Sequence, residues 1–338
     1  MKDFLMGGAV CLRRNYADLP FSPDSRADVA QAVNERVLPV LEKEEDTFTY
    51  LMVQQMEPEQ RRVLIAHGLL DPDSADNALS SAYLRQDDCL CVQTAAADHL
   101  RIAAYDEDGS LSDCLALCLP LEQALAVDHP YARSAQYGYL TARPCDAGSG
   151  LRASLLLHLP MLTLLKQIPN MTRLCGMAGL LLRSAAPAQE ERGDALYLLE
   201  NRMTLGIEAA DIVRRLQSHA ERLTALERQL RAKAAERADD FVLDAIYRAY
   251  GVARYARKIS RAEGMHLWSA LTLGQALGTL NMQQAQLEKL YLMCAGTQSA
   301  PPTAKTVRYF QTTLQSIFLS PLLQMKLRRG HAFRRFQT

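Results

Sequence analysis

Apolar residues recur at three- and four-residue steps in two early segments, 26–43 (Val29, Val33, Val37, Leu41) and 55–70, and both predict helices. Leu90-Cys-Val-Gln93 and His99 to Tyr105 have strand-like patterns, the second entering a turn at Asp106-Glu-Asp-Gly109. Leu151 to Leu159 and Gly179 to Leu182 are short apolar runs of strand length, with the start of a helix between them at Met161 to Lys166. Strands and helices mix without regular βαβ alternation, which predicts an α+β fold and not a doubly wound sheet. Residues 208–237 then become charged and long-helical, with Leu216, Leu223 and Leu230 at heptad spacing and Ala220 and Leu226 near the same stripe. That stripe admits two readings, a helix for homo-oligomer formation or one packed on its own domain, because three heptads are marginal evidence for a coiled coil. From Asp239 the pattern is helical, broken only by the loop composition of Ser299-Ala-Pro-Pro-Thr303. The change in character places a domain boundary at about residue 235, giving domains 1–235 and 236–338.

Composition narrows the possibilities. A chain of 338 residues has room for two cores. Its formal net charge of zero supplies no global field for nucleic acid or an anionic membrane, so neither is an expected partner. No apolar run approaches the roughly 20 residues of a membrane span, and no leader pattern opens the chain. Eight cysteines in that setting predict a reducing cytoplasm over a disulfide framework. Cys89-Leu-Cys91 and Cys114 with Cys118 lack a second pair at zinc spacing, so they read as buried thiols and no metal site is assigned.

The most specific stretch runs Tyr137-Gly-Tyr-Leu-Thr-Ala-Arg-Pro-Cys-Asp-Ala-Gly-Ser-Gly-Leu-Arg-Ala-Ser154 and continues to His158-Leu-Pro160. It resembles F-G-Y-L-T-A-C-P-T-N-V-G-T-G-L-R-A-S, the motif of the ATP:guanidino phosphotransferases and most closely of the bacterial protein-arginine kinases. Further blocks follow the same order. Gly7-Gly-Ala-Val-Cys-Leu-Arg-Arg-Asn15, with Leu19-Pro-Phe21, is similar to S-S-R-I-R-L-A-R-N…P-F. Ala95-Ala-Ala-Asp-His-Leu-Arg-Ile102 is similar to N-E-E-D-H-L-R-I. The run from Arg183 to Gly206 matches R-G-x-Y-G-E…Y-x-x-S-N-x-x-T-L-G without a gap. Tyr247-Arg-Ala-Tyr-Gly251 and Ala256-Arg-Lys-Ile-Ser260 resemble the helical C-terminal domain of the protein-arginine kinases. The resemblance implies a phosphagen-kinase-like domain, an antiparallel sheet flanked by helices with a small helical N-terminal part, followed by an all-helical C-terminal domain.

It also implies a chemistry. Transfer of a phosphoryl group from ATP to a guanidinium needs cations, with Mg²⁺, to hold the triphosphate in line. It also needs carboxylates to orient the guanidinium and accept its proton, because that group is otherwise always protonated and no nucleophile. On the phosphate side Arg101, Arg152 and Arg183 stand at family arginine positions, His67 at a histidine near the nucleotide, and Ala153 and Ser154 complete the motif. Two more family arginines fall on Ala9 and Cys11. The segment Ala147-Gly148-Ser149-Gly150 offers backbone N–H groups that suit a phosphate, although a Gly-x-Gly is usually a turn.

On the guanidinium side the pattern is degenerate. The paired glutamates fall on Ala96 and Ala97, the loop glutamate on Ala188, and the reactive cysteine on Arg143, whose charge opposes a cationic substrate. Asp98, Asp146, Glu190 and Glu191 are the available relocated acids. The leading expectation is therefore a pseudokinase with a net positive pocket for ATP, ADP or phosphoarginine. Its role would be regulatory or adaptor in protein quality control and stress response. By resemblance, its partners would be an active protein-arginine kinase, a Clp-type protease or a stress-gene repressor. The alternatives are an active protein-arginine kinase using relocated acids, or a structural subunit that binds no phosphate. Two glutamates or aspartates facing the cleft from unexpected stretches of chain would overturn the pseudokinase reading and place the chain with the working transferases. The C-terminal phosphoarginine-sensing motif of the family also reads as lost, with Leu319, Ser320 and Leu323 at its charged positions.

Overall fold

The structure is a computed structural model that describes residues 4–21, 26–44, 46–185, 195–237 and 239–295. Pro187, Ala188, Glu190, Glu191, the 299–303 break and the basic tail lie outside the described residues. The strands are β1 (Leu5–Arg14), β2 (Phe48–Met52), β3 (Ser81–Arg85), β4 (Leu90–Thr94), β5 (Leu100–Asp106), β6 (Arg133–Ser134), β7 (Gly138–Tyr139), β8 (Leu151–His158), β9 (Leu180–Ser184) and β10 (Leu196–Asn201). The helices are α1 (Ala27–Leu41), α2 (Pro58–Ala66), α3 (Leu111–Leu125), α4 (Pro160–Leu164), α5 (Ile168–Met177), α6 (Ala209–Arg237), α7 (Asp240–Tyr255), α8 (Arg261–Ala276) and α9 (Gln284–Ala295).

Eight strands form one sheet in the order β2-β3-β4-β5-β1-β8-β10-β9, and β6 pairs with β7 as a small ribbon. From β2 through β8 every adjacent pair runs antiparallel. An α+β sheet followed by helices is the architecture that the pattern predicts. Two compact units divide the chain: Met1–Leu157 with Asn170–Arg183 and Leu198–Arg222, and His158–Pro169 with Ser184–Tyr197 and the chain from Leu223 onward.

The alternation of side chains along a strand gives β1 two faces. Val10 and Leu12 lie opposite Ala104 and Ile102 of β5 and Ala153 and Leu151 of β8, all buried and apolar. Helix α3 covers this face with Leu111, Cys114, Cys118 and Leu121. Thiols of Cys114 and Cys118 lie 3.9 and 3.8 Å from the carbonyls of Gly8 and Ile102, as buried weak donors. On the other face are Ala9, Cys11 and Arg13, flanked by Arg101 and Ala103 of β5 and by Arg152 and Ser154 of β8.

The predicted 55–70 helix is shorter than its apolar periodicity. Pro58 sets the first helical residue, and Gly68 (φ +70°) ends the helix in the left-handed conformation. Leu64 and Ile65 then pack with Val53, Met56, Leu69 and Leu70 onto Cys11, Ala82, Leu84, Cys91 and Ala103. The turn closes down on β1: a Cβ at position 68 would stand 3.0 Å from that of Ala9. In α6, Leu216, Ala220 and Leu223 are buried and Leu226 and Leu230 half-buried.

Within the second unit, Asp239 caps α7 and Ser260 with Glu263 forms a capping box on α8. Glu227 of α6 accepts the N–H groups of Met161 and Leu162 at 2.9 Å each, satisfying the orphan donors that open α4. His158 bonds Ser269 Oγ at 2.8 Å and packs beside Trp268, which in turn packs on Tyr291. Among the described residues no helix is long and apolar enough to cross a membrane.

Candidate functional site

The strand period brings Arg101 and Arg152 onto one face of the sheet, on the two strands that flank β1. Their guanidinium groups meet protein and not open cleft. Arg101 is buried and donates from Nη2 to the Gly68 carbonyl at 2.6 Å. Its Nε and Nη1 have no hydrogen-bond partner. Arg152 closes Nε on Asp146 Oδ1, Nη1 on the Asn201 carbonyl at 2.9 Å and Nη2 on Cys145 Sγ at 3.4 Å. Arg183 lies on the edge strand β9, exposed, with its fork bidentate on Glu200 at 2.7 and 3.1 Å. His67 stacks flat on Tyr105, ring centroids 4.0 Å apart, and burial pushes its pKa down.

Ser154 shares the face of Arg152, whereas the buried side chain of Ala153 belongs to the α3 face. The Ala153 N–H is taken by Asn201 Oδ1 at 2.8 Å. The glycine segment is a packed turn. The N–H groups of Ala147, Gly148 and Ser149 bond the carbonyls of Pro144, Tyr139 and Thr204. Gly148 (φ +109°) admits no side chain, since a Cβ there would meet the Thr204 carbonyl at 2.5 Å.

At the family's acidic positions Ala96 is buried and Ala97 half-buried, both in the turn from β4 to β5. Ala95 holds φ +51°, a left-handed conformation that asparagine tolerates better than alanine. Arg143, half-exposed, closes on Asp73. Asp98 is 2% exposed. Its Oδ1 accepts Asn15 Nδ2 at 2.6 Å and the Ala142 N–H at 2.7 Å. Its neighbour His99 is equally committed, Nδ1 accepting the Tyr16 N–H at 2.9 Å and Nε2 facing the Pro20 carbonyl at 2.7 Å. Those two contacts fix the neutral tautomer with the proton on Nε2.

The arrangement has a centre that the motif positions do not announce. Arg13 is 9% exposed and reaches three buried carboxylates: Asp146 Oδ2 at 3.1 Å, Asp98 Oδ2 at 3.8 Å and Asp71 Oδ2 at 3.9 Å. The expected net positive pocket is therefore a balanced network of aspartates and arginines. Burial pushes the Asp98 carboxyl up, against the Ala142 N–H, Asn15 and Arg13, which favour its ionised form. Arg13 stands where the quoted motif has alanine, and Asp146 where it has asparagine. That paired departure was the signal available in the sequence. Asp71 carries none, because it reaches the cluster from the turn after α2.

Comparison with known proteins agrees with this frame. The model for the ATP:guanido phosphotransferase C-terminal catalytic domain matches residues 28–230. The model for the protein-arginine kinase McsB C-terminal domain matches 239–300. A protein-arginine kinase of Caldanaerobacter subterraneus subsp. tengcongensis is 26% identical over 294 residues, spanning 86% of this chain and 87% of that protein. One of Bacillus cereus is 28% identical over 285 residues, spanning 82% and 79%. Among solved structures, lombricine kinase superposes with a TM-score of 0.59 at 20% identity, covering 69% of this chain and 68% of that one. The duplicated taurocyamine kinase from Schistosoma mansoni, with transition state analog components bound, gives 0.58 at 22% identity, covering 66% and 33%.

Proposed function

The chain belongs to the ATP:guanido phosphotransferase family, in its protein-arginine-kinase-like branch, and from that premise we propose that it is a pseudokinase acting through binding. One observation carries the reading: the carboxylates beside the motif positions are sealed from solvent and turned onto the protein's own arginines. A general base needs a lone pair within hydrogen-bond reach of the substrate proton. Asp71, Asp98 and Asp146 are 3%, 2% and 1% exposed, and both oxygens of Asp146 face arginines. Loss of one general base costs about 10²–10⁴ in rate, and loss of a charge-stabilising donor about 3–4 kcal/mol. Ala96, Ala97, Ala9 and Cys11 remove both kinds of group.

What remains suits an anion. The group best placed to meet it is Arg152, about a third exposed, whose ion pair with Asp146 a phosphate would have to displace, whereas the unbonded N–H groups of Arg101 are sealed from solvent. The ligand of this reading is a nucleotide phosphate with Mg²⁺, or phosphoarginine on a client. The role is that of a cytoplasmic regulator or adaptor in protein quality control and stress response. Its partners are an active protein-arginine kinase, a Clp-type protease or a stress-gene repressor.

Incubation with radiolabelled ATP, magnesium and an arginine-rich protein tests the loss of chemistry. Acid-labile phosphoarginine above the level given by Arg152→Ala would overturn it. Thermal-shift titration with ATP, ADP and phosphoarginine tests the binding, with a shift expected for the native chain and none for Arg152→Ala. The convergence of three aspartates favours a second reading, an active kinase with relocated acids. In that case Asp146→Asn would abolish the transfer.

A further inference from the structure

We infer that Asp71, Asp98 and Asp146 form a guanidinium-binding pocket that the chain fills with its own Arg13, and that, emptied, the pocket takes a free alkylguanidinium. The inference rests on the contacts of this cluster and on the reading of the site as closed to an external guanidinium. Among the described residues a single guanidinium lies within 4 Å of all three buried carboxylates; Asp146 also pairs with Arg152, and Asp71 feels the more distant charge of Arg143.

The fit is incomplete in an informative way. Arg13 Nη1 makes one contact of hydrogen-bond length, 3.1 Å to Asp146, whereas Asp98 and Asp71 stand off at 3.8 and 3.9 Å. Asp98 Oδ2 and Arg13 Nε are both buried without a hydrogen-bond partner. The cause is the tether. The Arg13 backbone is pinned in the sheet, its N–H on the Gly150 carbonyl at 2.9 Å and its Cα paired with that of Arg101. The fork therefore cannot centre itself among acids that arrive from three other stretches of chain. An untethered guanidinium presents N–H groups on all sides, is free to settle between the carboxylates, and supplies the donor that Asp98 Oδ2 lacks. An ammonium of the same charge lacks the planar fork and bonds fewer of the oxygens. In the native chain the side chain of Arg13 excludes any such ligand, an arginine residue of a client included.

The test uses the full chain with Arg13→Ala, melted in increasing methylguanidinium chloride at low millimolar concentration, with methylammonium chloride as the matched salt. The variant is expected to melt below the native protein and to regain at least half of the lost Tm in methylguanidinium. Methylammonium should restore little, and the native chain should respond to neither. Adding Asp146→Ala should abolish the recovery. Should Arg13→Ala not fold unaided, the refolding yield in the two salts provides the same contrast. Equal effects of both salts, or no recovery in either, would overturn the pocket. Neither result depends on phosphotransfer, so the pocket and the pseudokinase reading fail separately.

Discussion

The two ends of β1 on one face of the sheet are opposites. At Ala9 and Cys11, where the related motif has arginines, the face is an apolar core sealed by α2 and its following turn. At Arg13, where that motif has alanine, a guanidinium is buried among carboxylates. The charge stands one side-chain period further along the strand, about 7 Å. That step decides whether an arginine can face a phosphate or is committed to the protein's own acids. It shows one face of a strand filled in two ways, by hydrophobic packing at one part and by an internal ion network at the other.

The sharpest way to break the comparison is to restore a charge at the apolar end. Cys11 is 4% exposed in a cluster that contains no carboxylate. Cys11→Arg would both overfill the core and bury an unpaired charge, and should cost more than about 4 kcal/mol. The urea midpoint checks this. A native-like midpoint, or gain of ATP binding without loss of stability, would show that the apolar end is an open phosphate site.

The charged end should respond almost as strongly. Arg13→Met leaves buried carboxylates without their cation, at an expected cost of about 3–5 kcal/mol. In a double-mutant cycle with Asp146→Asn the losses should be strongly non-additive, because one contact at 3.1 Å is removed by either change. Additive losses would mean that Arg13 is held by packing and not by its acids.

The contrast explains what was legible in the sequence. Periodicity located β8, α1 and α6, since each buries a regular face, whereas β4 and β5, buried on both faces, were legible as short strand-like runs. It left α3 unplaced: Leu111, Leu115, Leu121 and Leu125 are interleaved with Cys114 and Cys118, and Pro120 interrupts the run. It also overran α2, where Pro58 and Gly68 set the ends against an apolar pattern that continues past both. Arg101 and Arg152 were legible because a motif fixes each one locally. The Arg13 cluster was not, because its members come from β1, the turn after α2, the β4–β5 turn and the turn before β8. Only tertiary structure assembles such a set, and helical or strand spacing carries no trace of it. The three aspartates that it assembles all face an internal cation.

Acidity separates the two ends more gently. Burial raises the folded-state pKa of Asp98, so the proton is held more tightly in the folded chain than in the unfolded one. The stability this contributes is fully present below the ordinary carboxyl value of 3.8 and is lost as pH rises through the raised value. Asp98→Asn removes that dependence. The native protein should therefore lose stability relative to the variant as pH rises from about 4, at up to about 1.4 kcal/mol per pH unit. Urea unfolding at successive pH values reads this, and parallel curves for the native protein and Asp98→Asn would mean that Asp98 is ionised without penalty.

The smallest effect concerns the turn that delivers Asp98 to the charged end. Ala95 is fully buried and holds φ +51°, with its N–H on the His99 carbonyl at 3.2 Å and its own carbonyl on Asn77 Nδ2 at 3.2 Å. Those bonds hold the left-handed conformation against a cost of about 1–2 kcal/mol for an L-residue. Ala95→Gly relieves that strain without adding volume, and loses part of the gain to the greater freedom of the unfolded chain. A net stabilisation of about 0.5–1 kcal/mol is expected, read as a raised urea midpoint with an unchanged slope. Destabilisation instead would mean that the Ala95 methyl group is needed in the packing. The turn would then be held by that contact and not by the bonds to His99 and Asn77, and the charged end would owe its geometry to apolar contact, as the other end of β1 does.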